Sequence, residues 1–127
     1  DTKISIQEDR IQTFHGDQTD AVSLYNMWNE LADENFDFIL DDGLHLAHAN
    51  ICFFVHSFHK LKPGGVFVIE DVRDEEIEKF YPFIDSLKLG HLNIHHMKLP
   101  WPENYKDYSK NPDPHYDNQI IVIHKAA

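Results

Sequence analysis

The chain has 127 residues, 42% of them hydrophobic and 26% charged, which is the make-up of one folded domain and excludes a disordered or membrane-embedded protein. Eleven basic against 22 acidic residues leave a net charge of −11, the wrong sign for a general binder of nucleic-acid backbones. No stretch approaches the ~20 apolar residues of a membrane span, no signal-like segment opens the chain, and the single cysteine, Cys52, cannot form an internal disulfide; a soluble, cytoplasmic protein is expected. Because the first residue is Asp1 rather than Met, the chain is expected to be processed, shortened for expression or read from an incomplete gene.

Apolar runs alternate with helix-like stretches, the pattern of an α/β sheet. Residues 10–15 (R-I-Q-T-F-H) alternate as a strand does and are closed by Gly16-Asp17. Residues 19–31 carry Val22, Leu24, Tyr25, Trp28 and Leu31 at helical spacing, with Asp20 as N-cap. A buried-type strand over 36–40 runs into Asp41-Asp42-Gly43, and a helix over 45–61 is stopped by Lys62-Pro63-Gly64-Gly65. Next come a strand over 66–69 ending at Glu70-Asp71, and a helix over 74–89 with acids in its first turn and Gly90 behind it. Strands are predicted over 92–99 and, from its β-branched run, over 119–124. Between these two lies a loop over 100–118 with Trp101, Tyr105, Tyr108 and Tyr116; it either lines a carbohydrate-like site or is a surface loop pinned by its rings.

In an open α/β sheet, ligands bind beyond the carboxyl ends of the strands. Asp17, Asp41, Asp42, Glu70 and Asp71 would all crowd that rim. Packed carboxylates raise one another's pKa unless a cation lies among them, and hard oxygen donors suit Mg²⁺. The alternative is that these acids only make turns and cap helices. His45, three residues beyond Asp42, is a candidate general base toward a metal-held hydroxyl, or a plain cap.

The chain has ten histidines, and His45, His48, Cys52, His56 and His59 fall on one helical stripe about 80° wide, which suggests a zinc ladder. Its ends are about 20 Å apart at 1.5 Å per residue, so one ion cannot collect them; the stripe reads as the less apolar side of a packed helix. His95, His96, His115 and His124 show no ligand spacing.

The runs F-D-F-I-L-D-D-G-L-H (36–45) and L-K-P-G-G-V-F-V-I-E-D-V (61–72), with G-D-Q-T-D (16–20) and Y-D-N-Q-I-I-V-I (116–123), resemble a known family. It is the metal-dependent class I S-adenosylmethionine methyltransferases of the macrocin and mycinamicin sugar O-methyltransferase type, with the cephalosporin hydroxylase-like proteins as relatives. The resemblance runs from Arg10 to Lys125, and the pairing of D-D-G-x-H with I-E-D is its specific part. It implies that Asp42, Glu70 and Asp71 hold Mg²⁺ and that His45 takes the proton of a sugar or similar hydroxyl as the methyl group arrives. It also implies that Asp17 and Gln18 lie near the adenine of S-adenosylmethionine, and that Asp41 faces its methionine end. Leu44 stands where the pattern usually has serine.

The resemblance further implies a Rossmann-like sheet of strand order 3-2-1-4-5-7-6, of which this chain would be the C-terminal two-thirds, lacking the first two strands and the glycine-rich loop. None of Gly16, Gly43, Gly64, Gly65 or Gly90 sits in such a loop. The strand over 10–15 and the strand over 36–40 would then face a gap. Either the first moves in beside the second or another copy of the chain fills the slot, a homo-oligomer through exposed sheet edges. The expected function is O-methylation of a small-molecule sugar or secondary-metabolite hydroxyl, with cofactor binding weak or lost in this chain alone. The rival is a non-catalytic domain that uses the acidic rim to bind metal or a partner.

Overall fold

The computed structural model describes residues 6, 8–90, 92–100 and 117–127. Helix α1 (Ala21–Glu30) begins where Asp20, in extended backbone, accepts a hydrogen bond from the Val22 amide at 3.0 Å. It ends over the ammonium of Lys60, a buried lysine that donates to the carbonyls of Leu31 (2.6 Å) and Ala32 (2.8 Å). A cation there satisfies carbonyls that the helix can no longer bond. Strands β1 (Phe36–Asp41) and β2 (Leu61–Val72) are parallel neighbours, joined by helix α2 (Ala47–Ser57) and a 3₁₀ turn (Phe58–Lys60). Helix α3 (Ile77–Leu89) leads to β3 (Asn93–Lys98), and β4 (Gln119–His124) closes the sheet, antiparallel to both β2 and β3.

The strand order is β1-β2-β4-β3, which matches the 4-5-7-6 half of the expected sheet. The side chains on one face, Ile39, Phe67, Ile69, Ile121 and Ile123, are buried under Ala47 and Phe54 of α2 and Ile77, Phe80 and Ile84 of α3. Helix α1 is held against α2 by Trp28, whose ring lies beside Phe53 and whose Nε1 donates to Ser57 Oγ at 2.9 Å. The other face is open: Phe38, Leu40 and Met97 are 55%, 43% and 45% exposed. No described helix is long and apolar enough to cross a membrane.

Three expectations are corrected. Residues 10–15 form no strand; among the described residues that region offers only an isolated bridge between Glu8 and Ile11. Alternation supplies a face, but a strand also needs a partner ladder, and this segment did not move in beside β1. The predicted helix over 45–61 starts two residues late because His45 has φ 54°, a left-handed backbone that no helix accommodates. The strand predicted over 66–69 is Leu61–Val72, and the 62–65 stretch, past which the helix does not continue, bulges out of it: the pairing with β1 jumps from Phe36↔Leu61 to Phe38↔Val66. Gly64, at φ 79°, is the residue that permits that turn. Of the loop over 100–118, Trp101, Tyr105, Tyr108 and Tyr116 lie outside the described residues, as does His115.

Candidate metal centre

Two neighbouring strand ends build the site. From the turn after β1 come Asp42 and His45, and from the end of β2 comes Asp71. One ligand atom from each of the three lies within 4.8 Å of the others. His45 Nε2 is 3.3 Å from Asp42 Oδ1 and 3.9 Å from Asp71 Oδ2. Two carboxylates and an imidazole at that spacing form a donor set that fits a divalent cation.

Backbone geometry explains how they meet. His45 and Asp71 both sit at φ 54°, and among the described residues they are the non-glycine positions with left-handed backbone. Such a conformation costs about 1–3 kcal/mol per residue and persists where the surroundings enforce it, most often at functional sites. At Asp71 it has a direct consequence. A regular strand would send Glu70 and Asp71 to opposite faces. The left-handed turn, with a register shift against β4 between Ile69 and Val72, breaks that alternation and swings Asp71 toward Asp42. Glu70, half-buried on β2, is not in the group of three.

Asp41 is buried and its oxygens are engaged. Oδ1 accepts from Gln18 Nε2 at 2.9 Å and from the Gly43 amide at 3.2 Å, and Oδ2 accepts from Asn50 Nδ2 at 2.9 Å. Burial raises its carboxyl above the usual range, opposed by these same bonds from Asn50, Gln18 and Gly43. Asp71 is also raised, first by burial and then by Asp117, with Asp42 adding to the effect and His45 acting against it. Asp17 is different: exposed, its Oδ1 accepts from the Thr19 amide (2.8 Å) and hydroxyl (2.7 Å), bonds that lower its pKa and shape the turn into α1.

Gln18, Asp41, Asp42 and Gly43, with Leu40 and Phe53, line a cavity of about 210 Å³ beside the metal group. Ligand sites usually span roughly 300–1,000 Å³, so this cavity has room for part of a ligand of cofactor size. Of the residues implied for the cofactor, Gln18 and Asp41 line it and Asp17 does not.

Sequence reading missed two supporting residues. Asn50, on α2, holds Asp41 from a distance of nine positions. Glu76 was read as an acid suited to the start of α3, yet its Oε2 accepts from the Ala47 amide at 2.9 Å and so caps α2, whose own N-cap, Leu46, has no side-chain bond to give. Asp74 ties the same turn to the sheet, accepting from Lys98 Nζ (2.7 Å) and Gln119 Nε2 (2.6 Å). Of the histidine stripe, His45 joins the group of Asp42 and Asp71; His48, Cys52, His56 and His59 are in no such group among the described residues.

No protein-family model matches the chain. It is 39% identical over 133 aligned positions to mycinamicin VI 2''-O-methyltransferase of Micromonospora griseorubida, an alignment that covers 96% of this chain and 31% of that protein. It is 28% identical over 105 positions to 8-demethyl-8-alpha-L-rhamnosyl tetracenomycin-C 2'-O-methyltransferase of Streptomyces olivaceus, covering 74% of this chain and 26% of the relative. Among solved structures it resembles the MycE methyltransferase from the mycinamycin pathway in complex with Mg and SAH, with a TM-score of 0.58 at 24% identity over 94% of this chain and 34% of that one. The chain thus spans about a quarter to a third of the length of these relatives.

Proposed function

Because the chain belongs to the macrocin, mycinamicin and tetracenomycin O-methyltransferase class, of which it matches about a quarter to a third of a full-length member, we propose that it carries the metal-binding and proton-accepting part of such an enzyme. The reaction is transfer of a methyl group from S-adenosylmethionine, with Mg²⁺, to a sugar or related hydroxyl of a small secondary metabolite. The observation that supports this best is the meeting of Asp42, His45 and Asp71 at two strand ends through two left-handed residues. Relatives named for methylation at sugar positions, and a similar fold crystallised with Mg and SAH, agree with it.

In this reading Asp42 and Asp71 are metal ligands, and Asp17, Gln18 and Asp41 lie on the cofactor side. When bound, Mg²⁺ supplies a positive charge that orients and polarises the acceptor hydroxyl. His45, whose Nε2 faces both carboxylates, receives the hydroxyl proton. S-adenosylmethionine, when bound, would supply the methyl group: the acceptor oxygen would bond the methyl carbon as the sulfur–methyl bond breaks, sulfur keeping the electron pair. Aligning these atoms provides most of the rate.

The test is calorimetry of S-adenosylhomocysteine with Mg²⁺, on this chain and on a form extended at its N-terminus by the first two strands and glycine-rich loop of the family. Binding by the extended form is expected; its absence would remove the assignment. In the same protein, Asp42→Ala should lose both metal binding and methyl transfer, whereas His45→Ala should lose transfer and leave cofactor binding in place. If His45→Ala transferred methyl groups at the normal rate, His45 would not be the proton acceptor; no transfer by the unsubstituted protein would favour the non-catalytic rival.

A further inference from the structure

We infer that Gln18 is a positioning residue that clamps the turn carrying Asp42 and His45, and that residue 43 is glycine to leave room for the clamp. The inference rests on the metal reading above for what the turn holds, and on separate geometry for how it is held.

Gln18 stands in the turn before α1, a segment fixed by Asp17, whose amide donates to Ser23 Oγ at 2.8 Å and whose carboxylate caps Thr19. From there its amide group reaches the turn after β1 at two points. Oε1 accepts from the Leu44 amide at 2.7 Å, and Nε2 donates to Asp41 Oδ1 at 2.9 Å. Asp41 and Leu44 bracket Asp42 and Gly43, and Leu44 leads directly into left-handed His45. One side chain thus bonds both ends of the segment that presents Asp42, and fixes the entry to His45. Asp41, itself buried, is anchored on its other oxygen by Asn50, so the clamp has a rigid base.

Gly43 gives an independent indication. Its backbone is not left-handed, so nothing in its own conformation demands glycine. A Cβ built there would fall 1.8 Å from Gln18 Oε1, 2.7 Å from its Cδ and 2.9 Å from its Nε2. The space a side chain would take at position 43 is filled by the Gln18 amide. Any larger residue must expel it.

This makes a coupling test available. Mn²⁺ affinity of the 127-residue chain is measured by paramagnetic resonance for the parent chain, Gln18→Ala, Gly43→Ala and the double variant, with Leu44 amide exchange followed by NMR in each. Loss of a group that orients metal ligands typically weakens metal binding about 10- to 100-fold, and each single variant is expected in that range. The double variant should bind no more weakly than Gln18→Ala, because Gly43→Ala acts only by evicting Gln18. Leu44 exchange should be slow in the parent chain and fast in all three variants. Unchanged Mn²⁺ affinity in Gln18→Ala, or penalties that multiply in the double variant, would overturn the inference. If the parent chain itself binds no Mn²⁺, the metal reading falls and the positioning role falls with it. Leu44 exchange then still reports whether the clamp exists as a structural feature.

Discussion

His45 and Asp71 each hold a backbone conformation that a glycine would adopt freely, and both present a side chain to one point. If the strain is retained for the sake of those side chains, removing it should stabilise the fold. His45→Gly is expected to be more stable than His45→Ala by about 1 kcal/mol in urea unfolding, since both lose the imidazole but only alanine keeps the strained backbone. Equal stabilities would mean the turn is not strained. Asp42 and His45 could be picked out from the sequence because D-D-G-x-H follows a strand, which places them at a sheet's carboxyl edge. Asp71 was expected beside Asp42 as well; that Glu70 stays out of the group was not legible, because a single left-handed residue breaks the strand's alternation there and leaves no periodic trace.

Between elements, the contact that matters most is the Glu76 carboxylate at the start of α2. Burial raises its pKa, but hydrogen bonds from Lys79 and the Ala47 amide outweigh this and leave it below the usual glutamate range. A carboxyl depressed in the folded state contributes stability that is present above its unfolded pKa and is lost as pH falls through the folded one. Glu76→Gln should therefore cost about 1.5 kcal/mol near neutral pH, and the gap to the parent chain should close as pH drops below about 4.5. A gap that stays constant with pH would mean the charge plays no part. Lys60 has the matching role at the other end of the helix pair. Lys60→Met leaves the carbonyls of Leu31 and Ala32 without their donor and should destabilise the chain by about 2 kcal/mol in denaturant titration. The helices α1 and α3 and the strands β1, β3 and β4 were legible from periodicity and turn residues, since local pattern fixes them. The caps from Glu76 and Lys60 were not, because each joins residues 28 or 29 positions apart.

Among the described residues, helices cover the sheet on one face. The other face exposes Phe38 and Leu40 next to the outer edge of β1, which pairs with no described strand. The resemblance made the strand order readable in advance, and the alternation of residues 10–15 misled because periodicity cannot reveal whether a partner is within reach. An apolar surface beside an unpaired edge favours association between copies. Sedimentation of this chain over a range of concentrations should show self-association that Phe38→Lys with Leu40→Glu removes. Purely monomeric behaviour at every concentration would contradict that expectation.

All of the chemistry depends on Asp42 and Asp71 gripping one cation from two different strand ends. The direct measurement is titration calorimetry of Mg²⁺ into the 127-residue chain, with Asp42→Ala and Asp71→Ala as partners. One ion per parent chain, with binding lost in both variants, is the predicted result. Binding that survives either substitution unchanged, or no binding by the parent chain, would contradict it.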